Sequence, residues 1–214
     1  MFPQFSLHAC FQQFYWFVLA IKLNLEIKDI ERFEAFVDAI IAIILTVIVL
    51  EITMASNGSW QALFDLKLEF ISYIISFVVC FNYWNYNNNL FQIIKNVDVK
   101  VVWLFGLALF VLSFIPYLST FVSENFNSFI AQACYGIDFI VVALLSIATS
   151  NALKKTNKEN DTLLMVLRDH YSFYSTLIIV GIGIIIGYFF YPHAIIISCL
   201  VSIIAVWVMQ YIRR

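Results

Sequence analysis

Four carboxylate residues lie inside long apolar stretches of this sequence or at their ends. A charged side chain within a membrane is costly, so such residues are candidates for ion pathways, proton relays or polar contacts between helices. Asp138 lies near the middle of its stretch, which predicts either a carboxyl group that is paired or protonated inside a helix bundle or a relay for protons or cations. Glu51 lies near the end of its stretch, where it can face water. The other two are Glu34 and Asp38.

A second polar group flanks the first apolar stretch. Arg32 and Asp38 are six residues apart, nearly two helical turns, so they share a broad face near one end of a helix. The end of the next stretch supplies possible partners in Trp84, Asn87 and Asn88. Asn side chains hydrogen-bond across membrane helices, but Trp and Tyr also collect at membrane interfaces without such contacts. The residues alone leave both interpretations open.

The composition places these residues in an integral membrane protein. The chain has 214 residues, of which 63% are hydrophobic and 12% charged, whereas about a quarter of the residues of a soluble domain are charged. This excludes a soluble enzyme and a disordered protein, and the net charge of −2 gives no basic excess for binding nucleic acid. No catalytic grouping or phosphate loop is present, and the Cys and His residues are scattered. We expect no enzyme activity, no metal site and no cofactor.

Six apolar stretches are each long enough to cross a hydrocarbon core of about 30 Å as a helix. They are too long and too uniformly apolar for membrane strands. The predicted fold class is therefore an all-α integral membrane protein with six transmembrane helices per subunit, and the second stretch is the weakest. The predicted spans are residues 33–54, 68–86, 101–123, 128–150, 171–191 and 194–212.

The N-terminal residues 1–28 are predicted to be an extension separate from a six-helix domain at 29–214. Residues 5–21 are apolar but are interrupted by His8, Gln12 and Gln13. They can be an extra span, an interfacial helix or an upstream over-extension of the reading frame, and we favour the last two.

The positions of the basic residues predict the orientation. Of the 12 Lys and Arg residues, all except Lys67 fall near the two ends of the six-helix domain or in alternate loops. Because cytoplasmic loops are enriched in Lys and Arg, both ends of this domain are expected in the cytoplasm.

The first two stretches carry motifs of a known family. The pattern R-x-x-x-F-x-D at residues 32–38 precedes a long Ile/Leu/Val run that ends at 50–52. This resembles the endosomal and lysosomal potassium channel family called transmembrane protein 175, in its bacterial branch. The resemblance covers residues 30–150 by motif and the rest by helix count. Further matches are Trp84, Asn87, Asn88, Leu90 and Phe91 to W-x-x-H-H-x-L-F, together with Trp103, Phe114, Pro116, Tyr135 and Gly136.

The resemblance implies a homotetramer in a bacterial plasma membrane, with the first helix of each subunit lining one central cation pore. It implies that Ile43, Val47 and Leu50 form apolar constriction rings and that Thr46 contributes to selectivity. Apolar rings can gate by dewetting. Since an apolar ring offers an ion no replacement oxygens, we expect only a modest preference for potassium over the more strongly hydrated sodium.

The resemblance also implies a polar network that holds the first helix against the second and third. Its members here are Arg32, Asp38, Trp84, Asn87 and Asn88. Both family His positions are Asn in this chain, so a His-based pH response is not expected there.

The resulting hypothesis is a modestly potassium-selective cation channel, whose partners are copies of itself, the lipid bilayer and the permeant potassium ion. Two alternatives remain at this point. One is a small proton-coupled secondary transporter that uses Asp138 and Glu51, and the other is a structural membrane subunit without transport activity.

Overall fold

A computed structural model describes residues 27–168 and 171–212. The apolar segment at 5–21 lies outside the described residues, as do the extreme C-terminal arginines. The described ranges form helices and contain no strand. The helices are α1 (Ile27–Leu50), α2 (Trp60–Asp65), α3 (Lys67–Phe91), α4 (Val99–Leu112), α5 (Ile115–Glu124), α6 (Phe129–Thr156), α7 (Asp161–Arg168), α8 (Tyr171–Phe189) and α9 (Ala194–Ile212).

Three helical segments are long and apolar enough to cross a membrane. They are Ile30–Leu50, Val99–Glu124 and Phe129–Thr156. Shorter apolar helices cover Phe173–Phe189 and Ala194–Met209. The chain is therefore all-helical in the described ranges, with helices suited to span a bilayer, as its hydropathy predicts.

Several helix ends differ from the predicted spans. The first span was expected to reach residue 54, but α1 ends at Leu50. The second was expected to close at its Asn-rich end, yet α3 continues to Phe91 with Asn87 buried inside the fold. The fourth was expected to end at residue 150, but α6 continues to Thr156. Hydropathy marks the part of a helix inside the membrane, whereas its ends depend on capping and on tertiary contacts.

The third predicted span is a broken helix. Helix α4 ends at Leu112 and α5 begins at Ile115, with Ser113 and Phe114 between them. Pro116, at the start of α5, lacks the amide hydrogen that would bond to the carbonyl of Leu112. The proline therefore explains why the hydrogen-bond ladder stops inside this apolar segment.

The core consists of two apolar clusters. One joins α1, α4 and α7 to the C-terminal halves of α3 and α6. The other joins α5, α8 and α9 to the N-terminal halves of α3 and α6. Helix α6 takes part in both, and 56% of its most apolar stretch is buried, against 22% for α1. Helix α6 is therefore central to the subunit, whereas α1 lies at its periphery.

The loop between α3 and α4 is bound by buried side chains that follow α6, and Asn157 makes most of these bonds. The Oδ1 of Asn157 accepts hydrogen bonds from the backbone amides of Lys95 (3.3 Å) and Asn96 (2.9 Å). Its Nδ2 donates to the carbonyls of Asn96 (2.8 Å) and Leu153 (3.1 Å). One amide side chain thus satisfies four backbone groups and fixes this loop against the end of α6.

Candidate pore-lining helix and its anchors

Helix α1 has one buried face and one exposed face. The buried face packs against α3, α4 and α5. Its members are separated by three, four or seven residues, the spacing of a single helical stripe. They are Ile30, Val37, Ile41, Ile44 and Ile48.

The exposed face carries a line of large apolar side chains. Phe36, Ile43 and Leu50 follow each other at intervals of seven residues, which keeps them within about 20° per step of one line along the helix. They are 56%, 61% and 78% exposed. We call these three residues the α1 stripe. Val47 lies half-buried at the edge of the stripe, and Thr46 is exposed beside it.

Thr46 presents an oxygen acceptor on this face. Its hydroxyl donates its one proton to the carbonyl of Ile43 at 2.8 Å. The hydroxyl oxygen therefore keeps only lone pairs for the exposed side. Such an oxygen can interact favourably with a passing cation, which the neighbouring Ile and Leu side chains cannot do.

A hydrogen bond between side chains anchors the N-terminal half of α1 to α3. The indole Nε1 of Trp84 donates to Oδ1 of Asp38, near the middle of α1, over 3.0 Å in a partly buried setting. The Trp84 ring also packs at a tilt on Phe81, with 5.5 Å between ring centroids. Since Val37, next to Asp38, is fully buried, this part of α1 is held both by packing and by a charge-assisted hydrogen bond.

Three aromatic rings reinforce the attachment of the N-terminal half of α1. Phe33 meets Phe91 and Phe105 edge to face, with centroid separations of 5.8 and 5.5 Å. Phe91 and Phe105 stack at 5.3 Å. The three rings lie on α1, α3 and α4, so they join the helices that the polar network was predicted to join. Sequence reasoning missed Phe33 and Phe105, because a Phe-rich chain offers no pattern that pairs particular rings.

The remaining members of the predicted network are placed differently. Arg32 is exposed, and it forms no ion pair with any residue in the described ranges. Asn87 is buried, and its Nδ2 has no hydrogen-bond partner among the described residues. Asn88 is half-buried. The structure thus brings Asp38 and Trp84 together but does not join Arg32 to them.

The residues that follow α1 are held by a second carboxylate. The Oε2 of Glu69 accepts hydrogen bonds from both the amide and the hydroxyl of Thr53, each at 2.7 Å. The Oε2 of Glu51 accepts a longer bond of 3.4 Å from the hydroxyl of Thr120. These contacts tie the residues that follow α1 to α3 and α5. Sequence reasoning missed Glu69 and Thr53, because they are 16 positions apart and no local pattern connects them.

The two carboxylates of the transporter hypothesis lie in different surroundings. Glu51 is exposed and lines a small cavity at the end of α1. Asp138 is buried within α6 and lines a separate, larger cavity. The structure does not bring them into one site.

These features define an α-helical membrane protein in which one peripheral helix is anchored near its middle and just beyond its C-terminal end and is exposed along an apolar stripe. The sequence profile of the endosomal/lysosomal potassium channel TMEM175 matches residues 32–116 of this chain. That region contains α1, its anchors on α3 and α4, and the break at Pro116.

The chain is also similar to bacterial proteins named as potassium channels. One from Chryseobacterium sp. (strain P1-3) is 32% identical over 162 residues, which cover 76% of this chain and 84% of that protein. One from Streptomyces collinus is 29% identical over 53% of this chain and 59% of that protein. The chain belongs to the TMEM175 potassium channel family, which is a family of ion channels and not of enzymes.

A solved structure shares the fold. The crystal structure of a lysosomal potassium-selective channel TMEM175 homolog from Chamaesiphon minutus superimposes with a TM-score of 0.72. The match covers 85% of this chain and 98% of that chain at 19% identity. The helical arrangement of a TMEM175 homolog is therefore retained although most side chains differ.

Proposed function

We propose that this chain is the subunit of a modestly potassium-selective cation channel in a bacterial plasma membrane. In this proposal four copies place their α1 helices around one central pore. Membership of the TMEM175 family and the exposed apolar stripe of α1 support it. Potassium is the permeant ion, and the channel needs no cofactor or bound metal for conduction.

The proposed subunit crosses the membrane six times within residues 29–214. The spans are α1, α3, the α4–α5 pair, α6, α8 and α9. Both ends of this domain lie in the cytoplasm, since all Lys and Arg residues except Lys67 then fall on the cytoplasmic side. Residues 1–28 remain a separate extension in this scheme.

The observation that carries the proposal is the division of α1 into two faces. Its buried face belongs to the core of its own subunit, which leaves Ile43 and Leu50 more than half exposed on the other side. A peripheral helix of this kind can meet its symmetry copies around an axis. In such an arrangement Ile43, Val47 and Leu50 form successive constrictions one turn apart.

The chemistry of these constrictions accounts for a modest selectivity. Ile and Leu side chains offer no oxygen to replace the hydration shell of an ion, so passage requires partial dehydration or a widened, wetted pore. Potassium holds its hydration shell less strongly than sodium and crosses with the smaller penalty. Thr46 supplies an acceptor oxygen within the same segment, which favours cations over anions.

We further propose that Arg32, Asp38, Trp84, Asn87 and Asn88 hold α1 in place at the cytoplasmic end. The bond from Trp84 to Asp38 supports this role directly. In a tetramer Arg32 is exposed enough to reach a neighbouring subunit, and Asn87 retains an unused donor toward its surroundings.

The proposal is tested with Ile43→Asn, which replaces the apolar ring by four amides. An amide ring stays wetted, so we expect a severalfold larger potassium flux and a potassium-to-sodium ratio closer to one. The matched control is Ile185→Asn on α8, because Ile185 is 60% exposed against 61% for Ile43. Both variants place the same polar group on the surface of the subunit.

The assay is cation-driven proton uptake into liposomes that contain the purified protein. A potassium gradient drives proton entry through an added protonophore, which a dye reports, and a sodium gradient serves as the parallel measurement. We expect Ile185→Asn to behave like the parent protein. Unchanged flux and selectivity in a tetrameric Ile43→Asn protein, or an equal change in both variants, would contradict the pore assignment.

A further inference from the structure

A partly open cavity of about 90 Å³ lies between the two apolar clusters of the subunit. Its wall comes from α3, α6, α8 and α9, together with the junction of α4 and α5. Helix α1 contributes no lining residue, so the cavity is distinct from the proposed pore face. Its volume has room for an ion and several water molecules.

The only charged residue that lines this cavity, among those the structure describes, is Asp138. Asp138 is 6% exposed, and its Oδ2 has no hydrogen-bond partner among the described residues. Asn82, Tyr83 and Thr176 also line the cavity, yet none of them donates a hydrogen bond to this oxygen. An unpaired carboxylate in the interior is strongly unfavourable unless a positive charge or a proton accompanies it.

Two serine hydroxyl groups on the same wall have already used their protons. Ser146 donates to the carbonyl of Val142 at 2.8 Å, and Ser202 donates to that of Cys199 at 2.7 Å. These two hydroxyl oxygens therefore offer only lone pairs to the cavity.

The hydroxyl group of Tyr86 has also used its proton. It is 3.1 Å from Ser150 Oγ. Ser150 spends its proton on the carbonyl of Ser146 at 2.8 Å, so Tyr86 must be the donor in this pair. Three residues that line the cavity beside Asp138 thus carry hydroxyl oxygens whose protons are used elsewhere.

We propose that this cavity binds a monovalent alkali cation, potassium or sodium, at Asp138 within each subunit. The carboxylate neutralises the ion, and the Ser146, Ser202 and Tyr86 oxygens, with water, complete its shell. A single carboxylate balances one positive charge. Divalent ions are usually held by more negatively charged ligands in protein sites of this kind. The bound ion links α3, α6 and α9, so it stabilises the half of the bundle that lies away from α1.

The experiment measures the thermal unfolding of the detergent-purified protein in KCl, in NaCl and in N-methyl-D-glucamine chloride at equal ionic strength. Binding to the folded state should raise the Tm saturably in KCl or NaCl, by roughly 5–10 °C at a hundredfold excess over the half-saturating concentration. The variant Asp138→Asn should lose this increment. In N-methyl-D-glucamine it should be more stable than the parent protein, because it no longer buries an unpaired charge.

A second variant, Ser202→Ala, removes one acceptor oxygen and leaves the charge. It should raise the half-saturating salt concentration about two- to tenfold. The variant Ile43→Asn is the control for ions bound in the pore, and it should retain the full increase in Tm. Two results would overturn the proposal: a Tm that does not depend on the alkali cation, or an equal dependence in the parent protein, Asp138→Asn and Ser202→Ala. The first would mean a protonated Asp138, and the second an ion bound elsewhere.

Discussion

Replacing Trp84 with Phe tests the anchor that holds α1 against α3 at Asp38. The variant removes the 3.0 Å bond to Asp38 and leaves a partly buried carboxylate without that donor. A hydrogen bond to a charged group contributes about 1.5–3 kcal/mol. The smaller ring also loses part of its contact with Phe81. We therefore expect the free energy of unfolding to fall by about 2–3 kcal/mol.

The measurement is thermal or denaturant unfolding in detergent, followed by circular dichroism, with size-exclusion chromatography to report assembly. The matched control is Trp207→Phe, since Trp207 also donates over 3.0 Å, but to the neutral Asn82 amide and from an exposed position. A neutral bond contributes about 0.5–1.5 kcal/mol, so the control should lose less stability by about 1 kcal/mol or more. Equal losses in both variants would refute the argument that the Asp38 charge strengthens the anchor.

The same reasoning gives a prediction for assembly. Arg32→Ala and Asp38→Ala should weaken the oligomer more than they change permeation through channels that remain intact. The two properties are separated by comparing size-exclusion profiles with the flux per reconstituted oligomer. An oligomer that stays intact in both variants would count against a role in assembly.

Two further predictions concern contacts between other helices and loops of the subunit. Asn157→Ala should cost about 2–3 kcal/mol of stability, since four backbone bonds are lost at a buried position, whereas Asn89→Ala, an exposed control, should cost under about 1 kcal/mol. Gly183→Ala should destabilise the α8–α9 pair, because a Cβ there would collide with the Ser198 side chain, while Gly181→Ala has open space and should be neutral or slightly stabilising. Thermal unfolding checks all four, and a harmless Gly183→Ala or a costly Gly181→Ala would contradict the packing argument.

The helices of this fold are predictable from the sequence because hydropathy alone separates apolar stretches from their short connections. The N-terminal ends of some helices can also be predicted from the sequence. Asp98 accepts from the amide of Val101 at 2.8 Å and Ser128 from that of Ala131 at 3.5 Å, as N-caps do. The C-terminal ends of the helices cannot be predicted in this way. Helix α6 extends past the membrane stretch because Asn157 ends it against a distant loop, and no local pattern reveals that contact.

The candidate site was likewise only partly predictable from the sequence. The exposed stripe of α1 could not be selected from the sequence, since every face of this helix is apolar and only tertiary packing shows which face is buried. The pairing of Asp38 with Trp84 came from family motifs, because 46 residues separate them and no periodicity connects them. Phe36 was missed as a stripe residue, although its spacing of seven from Ile43 was visible once one face had been chosen.

The contacts of α1 have a consequence for where a gate can act. Side chains from other helices fix α1 at Asp38, near its middle, and fix the chain at Thr53, just beyond its C-terminal end. Among the described residues, the exposed face around Thr46 has no such polar anchor from another helix, because Thr46 bonds to its own helix. In the proposed channel, motions that open a constriction are therefore expected to displace the segment around Ile43 while Asp38 and Thr53 stay docked. This separates permeation from assembly, and it is why variants at Ile43 and at Trp84 should affect different measurements.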